Sequence, residues 1–177
     1  MIKKMLIIGI FFLFSSCASL PDTSSLNTQQ LTEKNIKQIN GVYNNSTKNT
    51  TKRWYHTISG KLTGKQLKDT ISHVKIEVLK NEEILFSFLK NKTKIDSKII
   101  KYKITKDGFL LLKNKNFRLH GIPYILGGYE IKKHEIGLSN LGHLIMNGAE
   151  KREGAFLIIF WGPPGATSKF TNIYDTI

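Results

Sequence analysis

From Ile71 onward, apolar and polar residues alternate along short segments that are separated by turn sequences. Val74, Ile76 and Val78 alternate with Lys75 and Glu77. This period of two is typical of a β-strand with one buried face. Similar segments follow at Ile84–Phe88, Ile100–Ile104, Phe109–Leu112, Phe117–Leu119, Tyr129–Leu138, His143–Met146 and Ala155–Trp161. Short consecutive strands are expected to pair with their chain neighbours, so the sequence predicts an antiparallel meander.

Turn sequences set the expected limits of these strands. Asp107-Gly108 is the strongest of them, because Asp-Gly readily adopts the positive φ values that tight hairpins require. Other turns are expected at Lys80–Glu82, Asn91–Lys94, Ser139–Gly142, the charged hairpin Glu150–Glu153 with Gly154, and Gly162–Gly165. Gly127-Gly128 predicts a break or a bulge. About eight strands usually close into a barrel whose interior is filled by side chains or holds one small ligand.

The N terminus has the three parts of a secretory signal. Lys3 and Lys4 form a positive head, Met5–Phe14 is an apolar run, and Ser15-Ser16 precede Cys17. The run is too short to cross a membrane, which takes roughly 20 apolar residues. The cysteine makes the segment resemble a bacterial lipoprotein signal, in which a peptidase cuts before the cysteine and the thiol receives diacylglycerol.

The box departs from the commonest form, since Phe14 or Ser15 stands where Leu and then Ala or Gly are usual. The resemblance implies a signal peptide over residues 1–16, an acylated Cys17 with a flexible tether over 17–31, and one domain over 32–177. A buried thiol is the alternative for a single cysteine. Ala18 and Ser19, rather than Asp, follow Cys17, and no acidic cluster follows. These features favour the outer membrane and a periplasm-facing position.

The start of the domain carries a second resemblance. Thr32 is expected to cap a short helix with Ile36 and Ile39 on one face, and the first strand is expected to open at Gly41-Val42-Tyr43. A short helix, Gly-x-aromatic and a meander resemble the lipocalin pattern, with Tyr43 at the usual tryptophan. The chain is more similar to the small, uncharacterised lipocalin-like lipoproteins of Bacteroidetes. This resemblance implies a mainly β, lipocalin-like barrel of about eight strands with a short N-terminal helix, and it brings no catalytic residues.

The chain is strongly basic, with a formal net charge of +14, and loss of Lys3 and Lys4 with the signal leaves +12. Such a charge favours anionic partners, including lipid and lipopolysaccharide phosphates. A secreted protein does not meet intracellular nucleic acid, so we expect no nucleic-acid partner. The lysines are spread along the strands, so solvated strand faces and an anionic-surface patch both stay open as interpretations.

The sequence contains little that predicts catalysis. Gly60–Gln66 differs from a phosphate-binding loop, with three residues between its glycines and Gln66 after the lysine, and is expected to be a polar loop. The histidines lack zinc-site spacing and are expected at the surface or in turns: His56, His73, His120, His134 and His143. Ser139 and Ser168 lack the motif of a nucleophile elbow. We therefore expect no enzyme, metal or cofactor; a hydrolase with a site built from distant residues is an alternative.

Aromatic residues on the strand periods are the candidates for recognition, although most are expected in the core. The candidates for lining a ligand cavity are Phe86, Phe88, Tyr102, Phe109, Phe156 and Trp161. A barrel mouth lined by some of them suits an acyl chain or another apolar ligand. The leading interpretation is a lipid-anchored, non-enzymatic envelope protein that binds a hydrophobic small molecule. The alternative is a structural or assembly accessory that docks another envelope protein.

Overall fold

The structure is a computed structural model that describes residues 19–22, 26–47, 56–64, 67, 71–114, 117–122, 126–156 and 167–177. In 117–122, 126–128 and 152–156 it describes only the backbone. The predicted signal peptide, Cys17 and Trp161 therefore lie outside the described residues.

The described residues form ten strands, a 3₁₀ helix and one α-helix, and the prediction of a mainly β, antiparallel fold is confirmed. The strands are β1 (Thr28–Gln29), β2 (Gly41–Asn44), β3 (His73–Val78), β4 (Glu83–Lys90), β5 (Thr93–Ile104), β6 (Leu110–Leu112), β7 (Phe117–Ile122), β8 (Leu126–Ser139), β9 (Leu144–Phe156) and β10 (Ser168–Tyr174). The helices are the 3₁₀ helix Ile36–Ile39 and α1 (Ile58–Thr63).

Eight strands follow one another across the sheet in the order β10-β9-β8-β6-β5-β4-β3-β2, curled into an open half-barrel. β8 is its longest strand and pairs with β9 from Leu126 to Leu138. The other edge of β8 meets β1, β6 and β7 in turn, so β6 and β7 share one position in the sheet. The two outermost strands come together at one point, beyond the end of β10. Asn44 N donates to Asp175 O (2.9 Å), and Ile177 N donates to Val42 O (3.0 Å).

The core lies on the concave face of the half-barrel. Fully buried residues of β3, β4, β6 and β9 meet there with Tyr43 and Tyr174, as the alternating pattern predicts. Tyr43, at the position of the expected tryptophan, donates its hydroxyl hydrogen to Ile39 O (2.9 Å). Burial raises the pKa of Tyr43 to about 12. This bond connects the 3₁₀ helix to β2.

The short N-terminal helix is confirmed as a single 3₁₀ turn with Ile36 and Ile39 buried. The predicted Thr32 cap is wrong. The residue at the N-cap position is Asn35, and the Thr32 hydroxyl donates to Asn35 Oδ1 (3.1 Å) instead of accepting from a helix N–H. Residues before 32 also contact the sheet. Thr28–Gln29 pair with β8, and Leu31 is buried beside Gly108, whose carbonyl accepts from Leu31 N (3.2 Å).

A polar loop is expected from the sequence over Gly60–Gln66, but residues 60–63 belong to the helix α1. Thr57 Oγ1 caps it by accepting from Gly60 N (3.0 Å), and Gly64 ends it with φ +69°. Asn45 fixes the helix to the sheet, since its amide oxygen accepts from Ser59 N (2.9 Å). The apolar side of α1, Ile58 and Leu62, is buried in the core.

Two predicted breaks in the sheet are wrong. Glu150–Glu153 is not a hairpin, because Leu144–Phe156 run as one strand in unbroken register with β8. Gly127 and Gly128 neither break nor bulge β8; they lie opposite Ala155 and Gly154. The hairpin turn at Gly108 is confirmed, with φ +77°. The turn after β4 is confirmed but shorter than predicted, at Asn91–Lys92.

Candidate functional site

The inward face of β8 and β9 changes from apolar to charged along its length. Ile136 and Leu138 of β8 lie opposite Met146 and Leu144 of β9, and all four belong to the core. Because side chains alternate along a strand, His134, Lys132 and Glu130 occupy the same face further along β8. Lys132 lies opposite Glu150. We call Lys61 of α1 together with Glu130, Lys132, His134 and Glu150 the inner charged cluster.

Two carboxylates neutralise the lysine of β8. Lys132 Nζ lies 3.2 Å from Glu130 Oε1 and 3.9 Å from Glu150 Oε2. Glu130 is nearly buried, and Lys132 and Glu150 are each mostly buried. A buried ion pair loses much of its Coulomb energy to desolvation, so this arrangement is weak as a source of stability. We therefore interpret these charges as groups that can bind a polar part of a ligand, on a face that is otherwise apolar.

His134 is fully buried, so the expectation of a surface or turn histidine is wrong for this residue. Its Nδ1 lies 3.2 Å from Asn114 Nδ2. An amide nitrogen can only donate, so this contact places the imidazole proton on Nε2. The Nε2 atom has no hydrogen-bond partner among the described residues and lies 3.7 Å from Glu150 Oε1, beyond direct hydrogen-bonding distance. A buried, unsatisfied donor costs about 1–3 kcal/mol, which marks this nitrogen as an open binding point.

Lys61 reaches the cluster from α1. Its Nζ lies 3.2 Å from the centroid of the Phe170 ring, a cation–π contact. Burial lowers the pKa of Lys61 to about 8, although the nearby charge of Glu150 opposes that change. The Phe170 ring also lies 5.9 Å from the His134 ring. α1 and β10 thus contribute to a site that is otherwise built from β8 and β9.

Gly148 makes this arrangement sterically possible. It lies opposite both His134 on β8 and Phe170 on β10. A Cβ atom at this position would stand 2.2 Å from Phe170 Cζ and 2.8 Å from His134 Cδ2. Only glycine therefore allows both rings to lie over the middle strand.

Glu150 is held ionised by its surroundings. His134 contributes most to lowering the pKa of Glu150 to about 2, although the two groups are 3.7 Å apart, longer than a hydrogen bond; the positive charges of Lys132 and Lys61 act in the same direction, and burial opposes them. Glu150 Oε1 is an acceptor, and His134 Nε2 carries a hydrogen that it can donate. These two atoms lie 3.7 Å apart. A single hydroxyl group can accept from one and donate to the other.

Of the candidate aromatic side chains that the structure describes, three lie in the core and one lies on the other face of the sheet. Phe86 and Phe88 are fully buried, and Tyr102 is nearly so, in the single core on the concave face. Phe109 is buried on the opposite face, against Gly137, where a Cβ atom would meet its ring at 2.7 Å. The backbone of Phe156 lies in β9, and its side chain is not among those described.

The inner charged cluster was not predicted from the sequence because its members come from separate parts of the chain. Lys61 and His134 are far apart in the chain, and β8 and β9 bring His134 and Glu150 together only through their pairing register. One sequence feature indicates the site. The polar residues Glu130, Lys132 and His134 share the parity of Ile136 and Leu138, so they are expected on the inward face of an alternating strand.

Among the described residues, no group of three or more His, Cys, Asp or Glu side chains is arranged to hold a metal ion. None of the helices that the structure describes is long and apolar enough to cross a membrane. No family model, curated protein or solved structure matches this chain.

Proposed function

We propose that this chain is a lipid-anchored, non-enzymatic protein of the bacterial outer membrane, facing the periplasm, that binds an apolar small molecule bearing a hydroxyl group inside its barrel. The observation that carries the proposal is the open pair at His134 Nε2 and Glu150 Oε1, 3.7 Å apart. The hydroxyl group bridges these two atoms. It satisfies the buried donor of His134 and leaves the charge balance of the cluster unchanged.

The apolar part of the ligand is accommodated by the concave face next to the cluster. Ile136 and Met146 adjoin His134 and Gly148 on that face, and Phe86 and Phe88 lie within the same core. Ile58 and Leu62 of α1 are buried in this core. Ligand entry therefore requires α1 to move outward, so that the apolar body of the ligand replaces these two side chains.

The half-barrel closes into a lipocalin-like barrel in this proposal. Its support is the pairing of residues Asp175–Ile177 with β2, including the bridge between Tyr43 and Thr176. Closure removes the outer edges of β2 and β10 near this bridge, as in other small barrels. It also leaves the region around α1, beyond the short strand β2, as the entrance.

The anchor in this proposal is the diacylglyceryl group on Cys17. A lipid-modified, N-acylated cysteine has enough acyl chains for stable attachment, since one chain alone binds a membrane only reversibly. The polar segment that follows Cys17 in the sequence would act as the tether.

The ligand class is tested with two probes that differ by one hydroxyl group. Native mass spectrometry of the full chain, released from nonionic detergent, is carried out after addition of 1-hexadecanol or hexadecane. We expect a hexadecanol adduct and at least about a tenfold weaker one with hexadecane, because a hydrogen bond to a charged group is worth about 1.5–3 kcal/mol.

Two variants locate the binding point. His134→Phe should remove the preference for hexadecanol, whereas His143→Phe, at a partly exposed histidine beside Asp175, should keep it. Equal binding of the two probes by the wild type, or an unchanged preference in His134→Phe, would contradict the proposal.

A further inference from the structure

The N-terminal segment that precedes the 3₁₀ helix contacts the sheet at two separate places. Near its end, β1 pairs with β8, and Asn140 Nδ2 donates to Asn27 Oδ1 (2.7 Å) in the turn between β8 and β9. Near its start, Lys169 Nζ donates to Ser19 Oγ (2.8 Å) at the beginning of β10. These two contacts lie toward opposite ends of the ladder that β9 forms with β10.

The outer face of β9 is buried between these two contacts. Ile145, Asn147 and Ala149 alternate along β9 with its core residues and therefore occupy the opposite face of the sheet. All three are at most 1% exposed. Leu20 and Pro21, which follow Ser19 in the chain, are each partly buried. The start of the segment therefore lies against the protein and is not surrounded by solvent.

The contact at Ser19 limits how far the domain can lie from a lipid on Cys17. Ser19 is two residues after Cys17, and two residues span at most roughly 7 Å. The acyl chains of an anchored protein lie in the hydrocarbon layer, so the cysteine that carries them lies at the level of the lipid headgroups. The start of β10 is then held close to that level.

The surface around this point is basic. Lys133 of β8 and Lys169 of β10 lie opposite the same residue of β9, and Lys151 follows two residues further along β9. Asp22 supplies an exposed negative charge nearby in the chain, whereas Glu135, on the same face of β8 as Lys133, is buried. Lysine side chains close to a membrane surface are attracted by anionic headgroups.

We propose that the bilayer that holds Cys17 lies against the start of β10, so that the surface around Lys169 contacts lipid headgroups. This inference rests on the lipid anchor of the proposed function, and it adds which side of the domain faces the bilayer. The proposed ligand entrance lies at the same end of β10, because the Phe170 ring contacts Lys61 of α1 (3.2 Å). An apolar ligand therefore passes between the bilayer and the barrel beside α1.

Depth-dependent quenching tests the orientation. The full chain is incorporated into vesicles of phosphatidylcholine and phosphatidylglycerol, some of which carry a nitroxide on the headgroup. Acylated Cys17 has no free thiol, so a fluorescent label is attached to a single new cysteine in Thr167→Cys or Leu141→Cys, both at exposed positions.

The label at residue 167 should be quenched several-fold more strongly than the label at residue 141. The two levels are separated by at least roughly 17 Å along the sheet, since Leu144, after the turn that contains Leu141, is five residues from Ala149, which lies opposite Lys169. A flexible tether without the contact at Ser19 would instead give similar quenching at the two positions.

Two further variants show whether the segment sets the distance. An insertion of ten Gly and Ser residues between Ala18 and Ser19 adds roughly 17 Å of flexible reach and should reduce quenching at residue 167 to the level at residue 141. Lys169→Met, which removes the donor to Ser19, should also lower this quenching, whereas Lys80→Met, at another exposed lysine, should not.

The outcomes separate this inference from the anchor itself. A chain that does not float with the vesicles in a density gradient would overturn the lipid anchor and this inference with it. A chain that floats but shows equal quenching at the two labels, or stronger quenching at residue 141, would overturn the orientation alone and leave the anchor in place.

Discussion

Glu150 should carry a measurable part of the pH dependence of the folding free energy. Its pKa is about 2 in the folded chain, against an ordinary value of 4.5, and this difference corresponds to at most about 3.4 kcal/mol. The carboxylate side chain is 26% exposed, and solvent screening reduces the contribution to about 1–2 kcal/mol. Because the pKa is lower in the folded chain, this stabilisation is complete above about pH 5 and is lost as the pH falls from about 4.5 to about 2.

The variant Glu150→Gln removes the titrating group and keeps its shape. Guanidinium unfolding of the detergent-solubilised full chain, followed by far-ultraviolet circular dichroism, gives the free energy of unfolding at several pH values. The wild type should exceed Glu150→Gln by about 1–2 kcal/mol at pH 7, and the difference should shrink toward pH 2. Glu77→Gln is the matched control, since Glu77 forms an exposed pair with Lys75 (3.0 Å) that should contribute little. An equal pH dependence in the wild type and Glu150→Gln would refute the reasoning.

Three further substitutions probe the core and the cluster. Phe88→Ala should lower the free energy of unfolding, measured with guanidinium, by about 3–5 kcal/mol, because Phe88 is fully buried. Ile99→Ala, at an exposed position, should change it by less than about 0.5 kcal/mol. Equal losses in the two variants would contradict the fold. Gly148→Ala should cost about 1–3 kcal/mol and shift the ring resonances of Phe170 in NMR spectra, and unchanged resonances would speak against the close contact. The pKa of Lys61 is about 8 when folded, below its ordinary value of 10.5, so the wild type should gain stability relative to Lys61→Met as the pH rises from about 8 to about 10; a gain that is equal in both proteins would contradict the burial of Lys61.

The strands with one buried face are the part of the fold that the sequence predicts well. Val74 and Ile76 alternate with the polar residues His73, Lys75 and Glu77, and both are fully buried. The Asp107-Gly108 turn is equally local, because its positive φ depends on residues within the turn itself. Local patterns of this kind need no knowledge of what lies across the sheet.

Features that depend on pairing across the sheet were predicted poorly. The charged run from Glu150 to Glu153 is typical of a turn, but Glu150 lies opposite Lys132, and that pairing lets the strand continue. Gly127 and Gly128 continue β8 because they lie opposite the small residues Gly154 and Ala155. In both cases the partner strand determines the outcome, and a single sequence does not contain the register.

The candidate site shows the same limit. Aromatic periodicity indicated Phe86 and Phe88 correctly as inward residues, but it also indicated Phe109, which lies on the other face. Phe109 precedes β6 directly, so one residue of offset changes its face. His134 was interpreted as a surface residue because its partners, Asn114 and Glu150, are brought to it only by folding.

The most direct test of the proposed function is a mass measurement on one natively purified sample of the full chain. Intact-protein mass spectrometry is combined with analysis of an organic extract from the same sample. The proposal predicts the mass of a diacylated chain that begins at Cys17, together with a released apolar molecule that contains a hydroxyl group. A chain that keeps residues 1–16 and lacks lipid, with an extract that contains no such molecule, would contradict it.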